Sequence, residues 1–379
     1  MNLAMPDIRA NLPRFLLTGL GVGLTLLAAL SMTGLYRGIV TDALAIIIDS
    51  GADLWIVQSD TEGPFAEASS IDRRVLARTL SVPGVRKARQ FTLQSRRFLV
   101  NGHPVRGSLI GLDVPVDRGE WIPLVKGRHL QAGRGEAIAE ESSGLRIGDT
   151  VQIDGSRLEV VGLARGYLDS SGNPVVAVSV NDSLEIATHR PSEAVVRARG
   201  AGRAMPSAQS AAVAAIMIDL HDPDDAPQVR QAIDRWGDVT ALSTQEQQRV
   251  FLYGRLGRLR GQILMFTAVL LVVSAVVIAV TVYTMTLEKR HEIALLKLIG
   301  ARNRVIFSMI LQQALALGAL GYGVAALGVP LIRPLFPRRL VQPPEDYLLF
   351  AAIVVVLCIL GALLGIWKAM QVKAQEVLA

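Results

Sequence analysis

Four long uncharged runs constrain the fold of this chain more than any other feature of its sequence. Asp, Glu, Lys and Arg are absent from four stretches of at least 21 residues, namely Phe15–Tyr36, Gly261–Leu287, Val305–Ile332 and Tyr347–Trp367. A helix needs about 20 apolar residues to cross a hydrocarbon core of ~30 Å. Helices buried in soluble proteins rarely stay uncharged over such a length. The sequence therefore predicts an α-helical membrane protein with four transmembrane helices.

The residues between the first and second runs are predicted to form one mixed α/β domain outside the membrane. Asn101-Gly102 lies between two apolar stretches, as Asp154-Gly155 does, and such pairs are strong hairpin signals. The predicted strands are Asp53–Gln58, Arg97–Val100, Val105–Leu112, Val151–Ile153, Leu158–Leu163, Val175–Val180, Ala194–Arg199 and Ile216–Leu220. The predicted helices are Ile71–Leu80, Pro206–Ala215 and Ala226–Arg235.

Two amphipathic extensions are predicted to connect this domain to the membrane. After Tyr36 the apolar pattern continues at helical spacing as far as Ile48, among charged residues. On the other side, Ser243 and Glu246 have the spacing of a capping box, and a helical pattern continues to Ile263. The extensions either pair as a stalk, which is the preferred interpretation, or lie in the lipid headgroups.

The order of segments follows from these patterns. It is transmembrane helix 1 with its stalk (1–50), the outer domain (51–242), stalk and helix 2 (243–287), a short linking helix (288–304), helix 3 (305–332), a loop (333–346), and helix 4 with the tail (347–379). The first run is expected to remain as an anchor, because it is longer than the core of a signal peptide. Nine Lys and Arg residues flank the spans on one side and eight on the other, so charge does not orient the chain.

Motifs for catalysis or for metal and nucleotide binding are missing from the sequence. No Gly-Lys pair occurs, which excludes a phosphate-binding loop of the G-x-x-x-x-G-K type. His291-Glu292 begins an H-E-x-x-H motif, but Leu295 takes the final position. The single cysteine, Cys358, lies inside the fourth run, and the net charge of +6 is spread without a basic block. The chain is predicted to be no enzyme, to bind no metal or cofactor itself, and to bind no nucleic acid.

Two G-x-x-x-G motifs lie in the predicted spans, Gly19–Gly23 in the first and Gly361–Gly365 in the fourth. Glycines at this spacing let two helices approach closely. All four glycines are predicted to pack against another helix, either within the chain or in a second copy.

The segment between the second and third spans is amphipathic. Its charged residues are Glu288, Lys289, Arg290, His291, Glu292 and Lys297, and its apolar residues are Ile293, Leu295, Leu296, Leu298 and Ile299. Gly300 can end such a helix in the left-handed conformation. The helix could lie in the headgroups as an anchor, or dock into the groove of a partner protein. Spacing alone does not separate the two uses.

This segment resembles the C-terminal permease signature of the FtsX/MacB/LolC-type ABC transporter family. The matching residues are Arg290, Glu292, Ile293, Ala294, Leu295, Leu296, Lys297, Ile299 and Gly300. Leu298 stands where Ala is usual, and Ala374 replaces a usual Pro in the tail. GLRIGDTVQIDGSRLEVVGL is similar to the periplasmic core domain of MacB-like permeases, and ADLWIVQ with PFAEASSI resembles the DevC-like branch.

The resemblance implies a membrane topology and a set of partners. It implies a multi-pass protein of the bacterial inner membrane, with cytoplasmic termini and a MacB-like periplasmic domain on a helical stalk. It implies two permease copies, or one with a paralogue, and a separate ATPase subunit that carries ATP and Mg. A periplasmic adaptor and an outer-membrane duct are further partners of the DevC-like branch.

The resemblance also implies a function, in which ATP-driven motion exports or extracts a hydrophobic or amphipathic substrate. A family alternative is a non-transporting protein that regulates a periplasmic cell-wall hydrolase. In either case the linking helix would contact the ATPase, through Glu288, Arg290, Glu292, Ile293, Leu295, Leu296, Lys297 and Gly300.

Overall fold

A computed structural model of the chain describes residues 12–100, 103–169, 171–189, 212–254, 256–299, 302–336 and 338–371. The chain divides into two compact units. The membrane unit combines the residues up to 38 with those from 259 onward, and the outer unit is formed by residues 39–258.

The helices and strands of the described residues are as follows. The helices are α1 (Leu12–Asp49), α2 (Val75–Leu80), α3 (Val180–His189), α4 (Ala226–Asp234), α5 (Thr244–Tyr253), α6 (Gly257–Glu288), α7 (Arg290–Leu298), α8 (Asn303–Ile332) and α9 (Pro344–Gln371). The strands are β1 (Leu54–Gln58), β2 (Ile71–Asp72), β3 (Val85–Val100), β4 (His103–Leu112), β5 (Leu124–Gly127), β6 (Glu136–Glu140), β7 (Thr150–Ile153), β8 (Ser156–Ala164), β9 (Val175–Ser179), β10 (Ala212–Val213), β11 (Ala215–Leu220) and β12 (Val239–Ser243).

Four of these helices, α1, α6, α8 and α9, are long and apolar enough to cross a membrane. This confirms the four predicted spans. Helix α1 has 38 residues, which corresponds to about 57 Å, so it is longer than a hydrocarbon core. The bundle core is built from small and aliphatic side chains, among them Val22, Leu26, Ile278, Val282, Ile310, Leu317, Cys358 and Ala362. Because lipid tails are as apolar as these side chains, close packing holds such helices together.

The outer unit is built on one mixed sheet with the strand order β12-β1-β11-β3-β4-β9-β6-β8-β5, in which β7 pairs with β3 and β8. Strand β3 has 16 residues, or about 50 Å, and passes through two lobes. The first lobe buries Leu54, Ile216, Val229 and Ile233. The second buries Phe98, Leu109, Val160 and Val176. The lobes are therefore joined by a continuous strand. The architecture agrees with the predicted mixed α/β domain.

Both predicted hairpins are present. Strands β7 and β8 pair from Thr150–Glu159 to Ile153–Ser156, and the turn places Asp154 at φ 44° and Gly155 at φ 96°. These positive φ angles explain the Asp-Gly sequence, since such turns need two left-handed residues. Strands β3 and β4 pair as far as Val100 and His103, and residues 101–102 lie outside the described part of the chain.

Two helix predictions in the outer unit were wrong in part. The helix predicted at Ile71–Leu80 begins only at Val75, because Ile71–Asp72 pairs with Ala212–Val213 as β2 and β10. The predicted helix Pro206–Ala215 fails at its described end, since Ala212–Val213 and Ala215 lie in strands. Alanine favours helices only by a fraction of a kcal/mol per residue, and sheet pairing overrides this preference. The strand predicted at Ala194–Arg199 lies outside the described residues.

The predicted extension of the second span is interrupted. The capping box of Ser243 and Glu246 is present at the start of α5. Helix α5 then ends, with Gly254 at φ −75° and ψ −81°, and α6 begins at Gly257. Phe251 and Gln247 are buried, and the Gln247 side chain donates to the Glu62 carbonyl at 3.2 Å. Helix α5 is thus packed on the sheet of the outer unit. It belongs to the same compact unit as residues 39–49 of α1.

Candidate coupling helix and helix interfaces

The linking helix α7 is fixed to the membrane unit by two side chains. Helix α6 ends at Glu288, and the Ile293 amide then donates to the Lys289 carbonyl at 2.9 Å as the chain enters α7. Ile293 and Ala294 are fully buried. Ile293 lies in the core cluster that also contains Met285 and Ile306. This side of α7 is therefore part of the bundle.

The opposite side of α7 is exposed and mixes apolar with charged groups. Leu295 is 45% exposed, Leu298 48% and Ile299 84%. Glu292 and His291 are exposed beside them, three and four residues before Leu295. The apolar residues of the predicted amphipathic helix therefore divide between the bundle and an outward surface, which we call the α7 outer face (His291, Glu292, Leu295, Leu298 and Ile299).

The structure describes only some of the remaining predicted coupling residues. Arg290 is exposed. Leu296 and Lys297 lie in α7 by their backbone, and Gly300 lies outside the described residues. At Lys289, burial lowers the pKa of the ammonium group, while the nearby charge of Glu292 acts against this shift.

Glu288 binds an arginine that the sequence analysis did not select. Arg14 Nη1 donates to the Glu288 carboxylate, and Arg14 Nη2 donates to Thr284 Oγ1 at 3.2 Å. The ion pair ties the first helix to the end of α6, next to the start of α7. One signal was available in the sequence, since Arg14 and Glu288 are the charged residues that directly border two of the uncharged runs.

The predicted glycine motifs lie at helix contacts within the chain. A Cβ at Gly19 would overlap the Leu320 side chain, and one at Gly23 would lie 2.6 Å from Val324 Cβ, so both glycines face α8. A Cβ at Gly361 would lie 3.2 Å from the Ala279 nitrogen, and one at Gly365 would lie 3.0 Å from a methyl of Val282 in α6. These distances are tight, so glycine allows the helices to approach.

A further G-x-x-x-G motif of α1, Gly34–Gly38, was missed although its spacing is the same. It holds the segment that leads from α8 to α9. The Val341 amide donates to the Gly34 carbonyl at 3.1 Å, and Gln342 Nε2 donates to the Leu30 carbonyl at 3.1 Å. A Cβ at Gly38 would overlap the Arg339 carbonyl oxygen. The glycines therefore admit a loop backbone against α1 instead of a second helix.

Comparison with known proteins identifies the family. The FtsX-like permease C-terminal family matches residues 264–374, which include α7, and the MacB-like periplasmic core domain family matches residues 15–236, more than half of the chain. The chain belongs to the FtsX/MacB family of ABC transporter permeases. Such a permease works with an ATPase partner. The DevC-like branch stays a prediction.

Relatives of this permease are similar over nearly their whole length. An uncharacterized ABC transporter permease of Mycobacterium tuberculosis is 23% identical over 373 residues, covering 98% of this chain and 97% of the relative. Another from Mycobacterium bovis is 22% identical over 371 residues, covering 97% and 96%.

Two solved structures align with about half of the chain. The extracellular domain of the noncanonical ABC-type transporter YknZ from Gram-positive bacteria is 15% identical, with a TM-score of 0.35 over 51% of this chain and 99% of that one. The periplasmic region of MacB from Actinobacillus actinomycetemcomitans is 13% identical, with a TM-score of 0.38 over 53% and 94%.

Proposed function

We propose that this permease binds its ATPase through the α7 outer face and passes ATP-driven motion to the outer unit. The observation that carries the proposal is the division of α7 into two sides. Ile293 and Ala294 anchor the helix in the bundle, while Leu295, Leu298 and Ile299 point away from it. A helix held in this way presents a fixed apolar surface to a partner groove.

The charges on the α7 outer face favour a protein partner over the lipid headgroups. A membrane-surface helix buries an apolar face free of acidic groups, because a carboxylate is costly in hydrocarbon. Here Glu292 lies among the exposed apolar residues, one turn from Leu295. A groove in a protein can supply a hydrogen-bonding partner for this carboxylate as well as an apolar surface.

The test substitutes two residues of the α7 outer face and leaves the buried Ile293 and Ala294 unchanged. Glu292→Lys with Leu295→Asp should abolish co-purification of the ATPase and the permease-stimulated part of ATP hydrolysis, while the fold is retained. Interface residues of this kind contribute about 2 kcal/mol or more, which corresponds to ~30-fold weaker binding. The matched control is Leu80→Asp, because Leu80 is an apolar residue of the outer unit with a similar exposed fraction, 53% against 45% for Leu295. Unchanged ATPase binding and hydrolysis in the double variant would show that α7 is not the coupling helix.

We further propose that two copies act in the bacterial inner membrane, each with a separate ATPase that holds ATP and Mg, to export or extract a hydrophobic or amphipathic substrate. The size of the outer unit, with two lobes on one sheet, supports a transporter over a regulator of a cell-wall hydrolase. A periplasmic adaptor and an outer-membrane duct would complete the path.

Inverted membrane vesicles can separate the two functions. ATP-dependent uptake of an amphipathic dye such as rhodamine 6G, lost in the Glu292→Lys, Leu295→Asp variant, would support transport. ATP-dependent release of peptidoglycan fragments from cells, with no dye uptake in vesicles, would instead support the hydrolase regulator.

A further inference from the structure

The outer end of α1 is bound by a buried arginine of the sheet. Arg89 lies in β3, and its side chain is only 4% exposed. Its Nη1 donates to Asp117 Oδ2 at 2.9 Å, and its Nη2 donates to Asp219 Oδ1 at 2.6 Å and to the Ser50 carbonyl at 3.1 Å. Ser50 directly follows α1, Asp219 lies in β11 of the first lobe, and Asp117 lies in the segment between β4 and β5. One guanidinium group therefore joins the end of α1 to strands β3 and β11 and to the segment after β4.

A second bond holds the same end of the helix. Tyr167 Oη donates to Asp49 Oδ2 at 2.6 Å. The Tyr167 ring lies 6.0 Å from that of Trp121, whose Nε1 donates to Asp117 Oδ1 at 3.1 Å. Asp117 thus accepts from both Arg89 and Trp121. The last residue of α1 and the residue after it are therefore held by two groups of hydrogen bonds, which meet at the ring contact between Trp121 and Tyr167.

The chain segment that leads from the outer unit into the second span, α5 and the start of α6, has a different construction. Helix α5 is fixed to the sheet by an aromatic cluster, in which Phe65 lies 5.4 Å from Trp55 and 6.2 Å from Phe251. Helix α5 ends at Tyr253 and α6 begins at Gly257. Helix α1, by contrast, runs unbroken from Leu12 to Asp49. A continuous helix passes a displacement along its axis more directly than two helices that are interrupted next to glycines, because glycine backbone is conformationally permissive.

We propose that Arg89 is the positioning residue through which displacement of α1 is passed to the sheet of the outer unit. This inference rests on the proposed function, since it requires ATP-driven motion of the bundle. The guanidinium group suits the role, because its planar set of donors binds both carboxylates and the helix end at once. A lysine ammonium group is a point charge and lacks this fixed geometry.

The test uses the full-length permease in complex with the ATPase that co-purifies with it. Arg89→Met removes the bonds but leaves two buried carboxylates, which can prevent folding. A second variant, Arg89→Met with Asp117→Asn and Asp219→Asn, removes this charge imbalance. The matched control is Arg78→Met, which removes an arginine of the first lobe that pairs with Asp238 at 3.0 Å and lies outside the set around Ser50.

Hydrogen exchange with and without MgATP and vanadate gives the readout. In the triple variant we expect about tenfold faster exchange at residues 46–53, equivalent to a local opening easier by ~1.4 kcal/mol. We also expect the nucleotide-dependent change in exchange of the outer unit to disappear, while ATPase binding and ATP hydrolysis persist. A merely structural role would change exchange equally with and without nucleotide.

Two results would overturn the inference. One is a nucleotide-dependent change in the outer unit that persists in the triple variant. The other is its loss in the Arg78→Met control as well. Failure of the proposed function is recognised separately, because it would appear as unchanged ATPase binding in the Glu292→Lys, Leu295→Asp variant, whatever the behaviour of Arg89.

Discussion

Replacing Gly23 by alanine should loosen the contact between α1 and α8. The added Cβ would lie 2.6 Å from Val324 Cβ, 2.7 Å from Val324 Cγ1 and 3.1 Å from the Gly321 carbonyl oxygen. Carbon atoms pack best at about 3.5–4.0 Å, so the two helices would have to separate by about 1 Å. Val324 cannot turn away easily, because β-branched side chains are stiff in a helix.

The magnitude follows from two opposing effects. Overpacking a well-packed contact costs about 1–3 kcal/mol. Alanine instead of glycine inside a helix contributes up to ~1 kcal/mol in the other direction. A contact of 2.6 Å places the cost of overpacking in the upper part of its range, about 2–3 kcal/mol, so the net destabilisation of the bundle should be about 1–2 kcal/mol, or roughly 2–8 °C in melting temperature. Gly21→Ala is the matched control, because nothing lies within 4 Å of a Cβ at Gly21 in the same helix.

The lone cysteine provides an assay that reports on the bundle alone. Cys358 is fully buried, and its Sγ packs beside Gly318 of α8. A maleimide dye that fluoresces on reaction with thiols should therefore label the chain in detergent only when the bundle opens on heating. Gly23→Ala should be labelled at a lower temperature than the unmodified protein, and Gly21→Ala at the same temperature or a higher one. The reasoning would be refuted if Gly21→Ala were labelled at a lower temperature than Gly23→Ala.

Two further predictions concern a loop contact and a pH dependence. Gly38→Ala should destabilise the bundle by about 1–3 kcal/mol in the same thiol assay, because the added Cβ would overlap the Arg339 carbonyl oxygen. A backbone group can move aside less easily than a side chain. Labelling at an unchanged temperature would contradict this prediction. Burial disfavours ionisation of Glu136, but hydrogen bonds from Arg128 and from the Gln131 and Ala132 amides outweigh it and lower the pKa of this carboxyl from 4.5 to about 2. The stabilisation that the ionised Glu136 gives to the folded state is complete above pH ~4.5 and is lost as pH falls towards 2. Because Arg128 is partly exposed, we expect Glu136→Gln to lower the free energy of unfolding by only about 1–2 kcal/mol at pH 7 and by almost nothing near pH 2. Unfolding in denaturant, followed by tryptophan fluorescence at both pH values, measures this difference. An equal loss at both pH values would contradict the assignment of the pKa shift to Glu136.

Local signals in the sequence predicted much of the architecture. The uncharged runs mark α1, α6, α8 and α9, since a length of apolar residues is sufficient to define a span. The Asp154-Gly155 turn and the capping box of Ser243 depend on neighbouring residues, so they too were found without a structure. The linking segment between the second and third spans was predicted from its amphipathic pattern and its resemblance to a permease signature; its coupling role stays a prediction.

Long-range contacts were beyond these signals. Ile71–Asp72 is a strand because it meets Ala212–Val213, and no local pattern distinguishes it from the start of the helix that follows. The break at Gly254 is likewise hidden in a pattern that remains helical on both sides. In α7, periodicity placed Ile293 and Leu295 in one apolar set, and only the bundle decided that the first is buried and the second exposed.

The sequence by itself determined four spans, one inserted domain and the glycines that allow close helix contacts, because each of these depends on residues near one another in the chain. Only the tertiary structure decided which helix each glycine faces, which side of α7 is free, and how Arg89 joins Ser50, Asp117 and Asp219. Asp219 follows Arg89 by 130 residues. A buried charge must be paired, and its partners can come from any part of the chain that the fold brings close. The spacing of residues along the chain therefore does not predict which residues these partners are.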